Sequence, residues 1–260
     1  MQLRIYFNPA ELTFVSPSDQ DVKDVYIVID VMRATTTMTI MFDQGARQVL
    51  AAETLEQALA SKQKRPNRLL CGERHTKTPP GFDCGNSPAY FAQRDLSNHE
   101  LVLTTSNGTR ALFACPTKST RLAGCFYNGR AVTEQALRYA QERQSNIAIV
   151  CAAEYGYFAL EDTACAGYLA QELLAQSPSL TIHDSVYGAM TIHDSYPAAV
   201  LKERAQSAID LKAIGQHKDI EYCLHKNGST CVPIVTGVEA GTELLELACL
   251  TPAVLETSRS

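Results

Sequence analysis

The 260-residue chain lacks the features of several large classes of protein. It has no run of the roughly 18 apolar residues that a membrane-spanning helix needs. Its first residues lack the apolar core and cleavage site of a secretion signal. Basic residues are not in excess, because 23 Lys and Arg stand against 28 Asp and Glu, giving a net charge of −5. We therefore expect neither export nor attachment to a membrane, and no broad affinity for nucleic acid.

Common cofactor and nucleophile signatures are missing as well. The chain contains neither the P-loop sequence nor G-x-G-x-x-G. Its nine cysteines include no C-x-x-C pair, and several stand in apolar stretches where a free cysteine acts as a small hydrophobic residue. Cys115 and Arg121 have the spacing of a thiol phosphatase loop, but no glycine lies between them. We interpret the chain as a cytoplasmic protein with reduced cysteines, none of them the nucleophile.

What the sequence does contain is an alternation of short apolar runs and helix-like segments. Strands are predicted at residues 25–31, 48–52, 68–71, 101–105, 121–125, 146–152 and 231–235. Helices are predicted at residues 33–44, 54–64, 109–114, 131–143 and 162–176. This order favours an α/β fold with mainly parallel sheets flanked by helices. The strand before residue 128 gives way to a long amphipathic helix, so we divide the chain into an N-terminal domain, 1–128, and a C-terminal domain, 129–260.

The first polar cluster follows the first apolar run, at residues 30–37 (Asp-Val-Met-Arg-Ala-Thr-Thr-Thr). In α/β folds ligands collect at the carboxyl ends of strands. The start of the helix, with Arg33, Thr35 and Thr36, predicts a phosphate site, and Asp30 suits a cation or a catalytic role. The alternative is that Asp30 only caps the helix, but a cap does not require the arginine, and three β-branched residues are poor helix formers.

A second cluster follows the run at residues 68–71. Glu73 and Arg74 end that run, and a long loop rich in Gly and Pro carries Asp83. A loop of this length in a compact domain is usually functional or mobile, and its Gly and Pro residues indicate fixed turns. Glu73 and Asp83 are candidate catalytic carboxylates and Arg74 a candidate substrate-binding residue. The alternative is a surface loop with two solvated acids.

Two further clusters stand at predicted helix starts. Hydroxyl residues, an Asn-Gly pair and an arginine follow the run at 101–105, a pattern that can build a backbone nest for phosphate, although Asn-Gly is also a common turn. Glu161 and Asp162 begin the last predicted helix, where its dipole favours carboxylates regardless of function. The candidate phosphate-binding residues of the nest are Asn107, Gly108, Thr109 and Arg110.

These clusters, in this order, resemble the 2-phosphosulfolactate phosphatase family. The resembling stretches are residues 30–37, 72–74, 81–88, 104–110 and 160–167, with weaker matches at 219–223 and 232–233. The likeness covers most of the chain, and several motifs in register are far more specific than any one of them. The chain departs from the family's usual glycine-rich pattern at residues 75–78 and 153–158, both beside candidate site residues.

The resemblance implies a Mg²⁺-dependent acid phosphatase with two α/β/α-type domains and its site in the cleft between them. It implies conversion of 2-phosphosulfolactate to sulfolactate and phosphate, a step toward coenzyme M. One hard cation together with arginines supplies most of what monoester hydrolysis needs. The expected metal-binding carboxylates are Asp30, Glu73, Glu161 and Asp162, and the catalytic set adds Asp83. Which of them contacts the metal and which is the base stays open.

The expected partner is a small anionic phosphorylated substrate, with no nucleic acid and no membrane, and we also keep a homodimer open. Two alternatives remain. The chain could be a non-catalytic protein that binds a phosphorylated metabolite, but pure binding has little use for carboxylates that repel an anion. It could also be a metal-dependent phosphotransferase or lyase acting on another phosphorylated acid.

Overall fold

The computed structural model of the protein describes residues 1–14 and 24–250. The strands are β1 (Gln2–Tyr6), β2 (Val25–Ile29), β3 (Gln48–Ala51), β4 (Leu69–Gly72), β5 (Glu100–Thr104), β6 (Thr120–Gly124), β7 (Ile147–Cys151), β8 (Thr181–Ile182), β9 (Val232–Val238) and β10 (Leu245–Leu250). The α-helices are α1 (Ala34–Asp43), α2 (Leu55–Lys64), α3 (Pro88–Phe91), α4 (Gly108–Ala114), α5 (Gly129–Arg143), α6 (Leu160–Gln176), α7 (Asp184–Ser195), α8 (Ala198–Arg204), α9 (Gln206–Ala213) and α10 (His217–Leu224).

The strands form one sheet in the order β4-β5-β3-β10-β9-β6-β2-β7-β1-β8. The three strands at one end are parallel to one another, and so are the five at the other end. The antiparallel pair β9 and β10 joins these two halves. The predicted α/β class with mainly parallel strands and flanking helices is confirmed.

The sheet curves so that its two halves face a common space. Seven strand spacings separate β4 from β7, which would be roughly 33 Å in a flat sheet. The loops that follow these two strands nevertheless touch, because the rings of His75 and Tyr155 have centroids 5.4 Å apart. The five-strand half is joined to the connecting pair at the position where Leu122 of β6 pairs with Ile234 of β9. Helix α1 contacts strands of both halves, β6 on one side and β3 on the other.

The central strands β2 and β7 are apolar throughout because both of their faces are covered, as their continuous apolar sequences indicated. All five residues of β2 and all five of β7 are buried. Helices α5 and α6 pack on β2 from one side, while α4 contacts it from the other. A strand covered on both faces has no exposed position to mark with a polar residue, which is why these runs are continuous in the sequence.

Every strand and helix predicted from the sequence is present, and the structure adds others. The strands β1, β8 and β10, the short helix α3 and the helices from α7 to α10 were not predicted. β1 mixes polar and apolar residues over only five positions, and α8 to α10 are short helices with two or three buried positions at most. Such elements form because a neighbouring surface covers their apolar side, not because of their own pattern.

The boundary proposed at residue 128 lies immediately before α5 and stays a prediction. Strands from both sides of it share one half of the sheet, since β7 pairs with both β1 and β2. Within residues 1–14 and 24–250, no helix combines the length and apolar composition that a membrane crossing needs.

The cysteines are mostly free and buried, as the sequence indicated, with one exception. Cys231 and Cys249 are joined in a disulfide, and their Cα atoms lie 5.7 Å apart. The other seven cysteines are free. The expectation of reduced cysteines throughout therefore fails at this pair. The reason is the antiparallel pairing of β9 with β10, which brings together residues 18 positions apart in sequence.

Candidate active site

The carboxyl ends of four strands meet at one pocket. Asp30 follows β2, Glu73 follows β4, Ser106 follows β5 and Glu154 follows β7, and all four residues line a cavity of about 40 Å³. Residues of α9 cover the remaining side. The pocket therefore lies where ligands bind in α/β proteins, and both halves of the curved sheet contribute to it.

Asp30 joins the end of β2 to the starts of two helices. The residue is 8% exposed, and its Oδ1 accepts a hydrogen bond from the backbone N–H of Ala34 at 3.1 Å. This bond satisfies one of the donors that the first turn of α1 leaves free. Gly108 at the start of α4 approaches from the other side, and a Cβ there would stand 2.5 Å from Asp30 Oδ2. Only glycine allows this approach.

The electrostatic surroundings of Asp30 are unusual. The pKa of its carboxyl is raised to about 7, first by burial and then by the negative charges of Glu73 and Glu161. No Lys or Arg in the described part of the chain forms an ion pair with it. A carboxyl that titrates near neutrality can take up or release a proton during a reaction, which makes Asp30 a candidate general base as well as a candidate ligand.

The threonines that follow Asp30 are fully buried, and none of them lines the pocket. Thr35 Oγ1 donates to the carbonyl of Asp30 at 2.8 Å, and Thr36 Oγ1 donates to the carbonyl of Val31 at 3.0 Å. These bonds give each hydroxyl a partner and let β-branched residues begin the helix. Thr35 and Thr36 therefore lie outside the pocket lining, and their hydroxyls are occupied by these hydrogen bonds to backbone carbonyls.

Glu161 and Asp162, in the first turn of α6, stand behind the pocket wall and are both 3% exposed. Glu161 Oε1 accepts a hydrogen bond from Ser207 Oγ at 2.5 Å, and Asp162 Oδ1 accepts one from the N–H of Val31 at 2.8 Å. Burial raises the pKa of both carboxyls. The charges of Glu161 and Asp30 push the pKa of Asp162 further in the same direction. These two acids do not line the cavity, although the charge of Glu161 acts on Asp30 and that of Asp30 on Asp162.

Glu73 ties together two loops of the pocket. Its Oε1 accepts a hydrogen bond from the N–H of Ser106 at 2.7 Å. Its Oε2 accepts bonds from the N–H of Thr76 at 3.1 Å and from Ser106 Oγ at 3.2 Å. Because three donors already point at this carboxylate, Glu73 organises the pocket as well as lining it.

Arg33 lines the pocket, but its guanidinium is bonded to two other side chains. Its Nη1 forms a buried ion pair with Asp219 Oδ2 at 2.8 Å and a hydrogen bond with the Gln216 side chain. Asp219 also accepts bonds from Ser87 Oγ at 2.6 Å and from the N–H of Ala89 at 3.2 Å. Arg33 thereby links the start of α1 to α3 and α10.

Arg74 and Arg110 lie outside the inner cavity, where they line a neighbouring cavity of about 460 Å³. Arg74 donates to the carbonyl of Glu73 at 2.7 Å and to Thr104 Oγ1 at 2.9 Å. Its pKa is lowered, first by burial and also by the positive charge of Arg110. In the described part of the chain, neither arginine forms an ion pair with a carboxylate. Glu53 and Glu56 line the same cavity, and the charges of Glu73 and Glu56 act on Arg74, so the surface is of mixed charge. Two neighbouring guanidinium groups without an ion pair can still bind an anion there.

The predicted phosphate nest at residues 107–109 has much of its hydrogen-bonding capacity in use. Asn107 Oδ1 accepts from the N–H of Tyr155 at 3.2 Å, and the N–H of Thr109 donates to Thr105 Oγ1 at 3.0 Å. Of the three nest residues, only Asn107 lines the cavity. Gly108 allows the close approach to Asp30 described above, and Thr109 is fully buried.

Asp83 stands apart from the other candidate carboxylates. Its Oδ2 pairs with Lys62 Nζ at 2.5 Å and accepts from the N–H of Leu70 at 2.7 Å. Partial burial opposes ionisation, but the bonds from Lys62 and Leu70 outweigh it and lower the pKa of Asp83. The residue does not line the pocket.

Comparison with known proteins gives this arrangement a family. A family profile described as 2-phosphosulpholactate phosphatase matches residues 13–237, which include every residue that lines the pocket. The chain belongs to the 2-phosphosulfolactate phosphatase family. A relative in Deinococcus radiodurans, named probable 2-phosphosulfolactate phosphatase, is 36% identical over 83% of this chain and 89% of its own length. Relatives with the same name in Thermotoga petrophila and Clostridium botulinum are 34% and 31% identical, over 82% and 85% of this chain and 89% and 92% of their own lengths.

The pocket of this family member also contains residues that sequence reasoning missed. Glu154 follows β7 as Asp30 follows β2, so the end of a buried strand was a usable signal. The pKa of Glu154 is raised to about 7, first by burial and then by the charges of Glu161, Asp210 and Asp30. Ser207 and Asp210 come from α9 and gave no local signal.

Asn86 was also missed, and its amide oxygen has no hydrogen-bond partner among the described residues. The side chain is 3% exposed and lines the pocket, and Oδ1 is buried without a hydrogen bond. A buried acceptor without a donor is costly and usually indicates that a ligand or ion completes the site. Asn86 lies within one of the stretches that resemble the family, residues 81–88, so its motif had been noticed without its role.

The donors of the pocket match a hard cation in kind. Carboxylates and an amide oxygen are the ligands that Mg²⁺ takes from proteins, with water completing its shell. The carboxyls also raise one another's pKa, a repulsion that a divalent cation would relieve. No three Asp, Glu, His or Cys side chains of the described residues are close enough together to hold an ion.

Proposed function

We propose that the protein is a Mg²⁺-dependent phosphatase that hydrolyses a small phosphorylated acid, 2-phosphosulfolactate, to sulfolactate and phosphate. The observation that carries the proposal is the convergence of Asp30 and Glu154, whose pKa values are raised to about 7, on one cavity, next to two arginines that form no ion pair in the described residues, in a member of this family. The proposal includes a cytoplasmic location and a place on the route to coenzyme M.

Hydrolysis of a phosphate monoester needs neutralised phosphoryl oxygens, an oriented water and a stabilised leaving oxygen. Asp30 and Glu154, both with pKa values near 7, are suited to hold and accept the proton of the attacking water. Arg74 and Arg110 are suited to bind the anionic groups of the rest of the substrate. Arg33 lines the cavity, and its link to Asp219 fixes its position.

Mg²⁺, when bound, would neutralise the phosphoryl oxygens and orient the water. Of the acids that line the cavity, Asp30, Glu73, Glu154 and Asp210, one or two would hold it, since no three acids of the described residues lie close enough to share an ion, with the Oδ1 of Asn86 as a neutral ligand and water in the remaining positions. Of Asp30 and Glu154, the one that does not bind the ion would accept the proton. In this proposal Glu161 and Asp162, which we had expected to bind the metal directly, support the site from behind through Ser207 and the N–H of Val31.

The test is a phosphate-release assay on a panel of small phosphorylated acids. We expect 2-phosphosulfolactate to be the best substrate, chelator to abolish release and Mg²⁺ to restore it. Glu154→Gln should lower kcat/KM by about 10²-fold or more, the size expected for loss of a general base. Glu134→Gln, on the exposed face of α5, is the matched control and should retain full activity.

Each other outcome identifies an alternative. Full activity in excess chelator, after verified metal removal, would contradict metal dependence. Tight binding of the phosphorylated acids without phosphate release would indicate a binding protein. Consumption of substrate with a product other than free phosphate would indicate a phosphotransferase or a lyase.

A further inference from the structure

Two tight turns stand over the pocket, one from each half of the sheet. Residues 74–77 follow β4 and residues 154–157 follow β7, and each forms a two-residue hairpin turn with reciprocal backbone hydrogen bonds of 2.8–3.1 Å. The central residues have positive φ, 52° and 65° for His75 and Thr76 and 49° and 83° for Tyr155 and Gly156. This is the pattern of type I′ turns, which hold their central side chains in defined directions.

The tips of these turns contact each other. The rings of His75 and Tyr155 are stacked, with centroids 5.4 Å apart and planes inclined by 17°. Tyr155 Oη also lies 3.2 Å from His75 Nδ1, so the pair combines ring stacking with a hydrogen bond. Because one residue belongs to each half of the sheet, this contact bridges the opening between them.

The pair lies between the inner cavity and two outer cavities. Tyr155 lines the inner cavity of about 40 Å³ and also both outer ones, of about 500 and 460 Å³. His75 lines the outer cavity that contains Arg74 and Arg110. The inner volume holds about three waters, comparable to one phosphoryl group. The rest of a phosphate ester would lie outside this volume, and the two outer cavities, which share Ser106 and Tyr155 with the inner one, offer the space for it.

The turns are tied to the pocket floor, so the pair does not move aside freely. Glu73 accepts a hydrogen bond from the N–H of Thr76, within the first turn, and also holds Ser106. Asn107 Oδ1 accepts from the N–H of Tyr155, within the second turn. Opening the pair would break these bonds or distort turns whose φ values are already unusual for side chains other than glycine.

We propose that His75 and Tyr155 together form a specificity gate that admits a phosphoryl group on a slim, acyclic acid and excludes esters of bulky or aromatic alcohols. This inference rests on the proposed function, because it concerns which phosphorylated molecules reach the same pocket. In this proposal the two rings select substrates by size. Arg74 and Arg110, in the outer cavity, bind the acidic groups of the substrate.

The test measures the binding of methylphosphonate and phenylphosphonate by calorimetry in the presence of Mg²⁺. Neither compound is a phosphate ester, so a phosphatase cannot hydrolyse it. The variants are His75→Asn and Tyr155→Asn, because Asn tolerates positive φ and Asn-Gly is a preferred type I′ pair, so each turn is kept while a ring is removed. Tyr157→Asn is the matched control. Tyr157 belongs to the second turn and is 78% exposed, so its ring projects into solvent.

We expect the wild type to favour methylphosphonate, and each Asn variant to reduce that preference about tenfold, within the range that steric discrimination provides. Tyr157→Asn should leave the ratio of the two affinities unchanged. Tyr155→Phe retains the ring and should retain the preference, which keeps the test valid if an Asn variant does not fold. The ratio of kcat/KM for 2-phosphosulfolactate and phenyl phosphate should change in the same direction.

A preference that is the same in the wild type and in both Asn variants would overturn the gate and leave the phosphatase proposal intact. Equal binding of both phosphonates by the wild type would also overturn it. If the wild type binds neither phosphonate and releases no phosphate, the proposed function fails and the gate fails with it.

Discussion

The inner wall of the pocket and its outer rim contrast in burial and in pairing. We define the inner wall as Asp30 and Arg33, which line the pocket, together with Glu161, Asp162 and Asp219, which stand behind them. All five are less than 9% exposed and each has a hydrogen-bonded partner. The outer rim comprises Arg74, His75, Arg110 and Tyr155, which are partly or largely exposed, and its two arginines form no ion pair in the described residues.

The difference teaches that one local pattern can serve two purposes. Arg33 and Arg110 both stand near a helix start after a strand, and from the sequence both were assigned to one phosphate. A buried charge must be paired to be stable, so Arg33 carries part of the fold. An exposed, unpaired charge costs little, so Arg110 is free for a ligand. Substitution of Arg33 should therefore affect both the fold and the reaction, and substitutions in the rim should affect binding alone.

The largest effect is expected at Asp30. Asp30→Asn should lower kcat/KM by about 10³-fold, roughly 4 kcal/mol, since it removes a proton acceptor and a ligand. The free energy of unfolding should not fall, because the amide removes a buried charge that has no cationic partner. Kinetics and urea unfolding of the variant check both statements. Retained activity would remove Asp30 from the chemistry.

The second largest effect is expected for Arg33→Lys, which tests whether the inner wall also stabilises the fold. Lys keeps the charge but cannot bond Gln216 and Asp219 with one planar group, so we expect kcat/KM to fall about 10²-fold. The free energy of unfolding should fall by about 2 kcal/mol, less than the 3–5 kcal/mol of a broken buried pair. Steady-state kinetics and chemical denaturation measure the two effects. An unchanged unfolding curve would contradict the structural role of this pair.

Arg110→Lys sharpens the comparison because it is the same change in the rim. We expect KM to rise about tenfold, since Lys binds an anion with a single ammonium group in place of the fork. The melting temperature should not change, because Arg110 is exposed and forms no ion pair within the described residues. Equal losses of stability in Arg33→Lys and Arg110→Lys would remove the distinction between wall and rim.

The pH dependence of stability tests the buried acids without any assay of activity. Burial and neighbouring charges raise the pKa of Asp30 and of Glu154 to about 7. Between the ordinary carboxyl values and about 7 the folded chain binds more protons than the unfolded chain, so these groups lower stability as pH rises through that interval. The metal-free protein should thus melt at a higher temperature at pH 5.5 than at pH 8. Mg²⁺ should raise the melting temperature at pH 8. The double variant Asp30→Asn, Glu154→Gln should lose the Mg²⁺ response and show a smaller pH response, the remainder coming from Glu161 and Asp162, whose pKa values are also raised.

The smallest effect on activity is expected at the cysteines. Burial again distinguishes two of them, the partly exposed Cys84 and the buried Cys165. The Cys71 thiol, followed by the hydroxyl of Tyr90, lowers the pKa of Cys84 to about 6, while burial raises that of Cys165 well above its ordinary value. Iodoacetamide should label Cys84 first, increasingly as pH rises through 6, and leave Cys165 unmodified. Cys84→Ser should keep kcat within about tenfold. A loss of several orders of magnitude with the fold intact would mean that a cysteine is the nucleophile.

Much of the fold could be read in advance where the signal is local. The runs that became β2 and β7 are apolar throughout because both faces are covered, and α5 shows its amphipathic pattern over fifteen residues. Asp30 and Glu73 were found because they end such runs. Ser207 and Asp210 could not be found, since α9 reaches the pocket only after the chain has passed through α7 and α8. The role of Asp83 stays a prediction, and its motif did not reveal that Lys62 lies beside it or that it stands outside the pocket lining.

The sequence by itself determined the alternation of strands and helices, the parallel α/β class and the placing of polar residues at strand ends, because these depend on neighbours within a few positions. Only the tertiary structure decided how far the sheet curves, which charges are buried, and that Arg33 meets Asp219 while Arg110 stays free. It also brought His75 and Tyr155 together from opposite halves of the sheet. Such outcomes depend on contacts between segments far apart in the chain, and burial and charge pairing arise only when those segments pack.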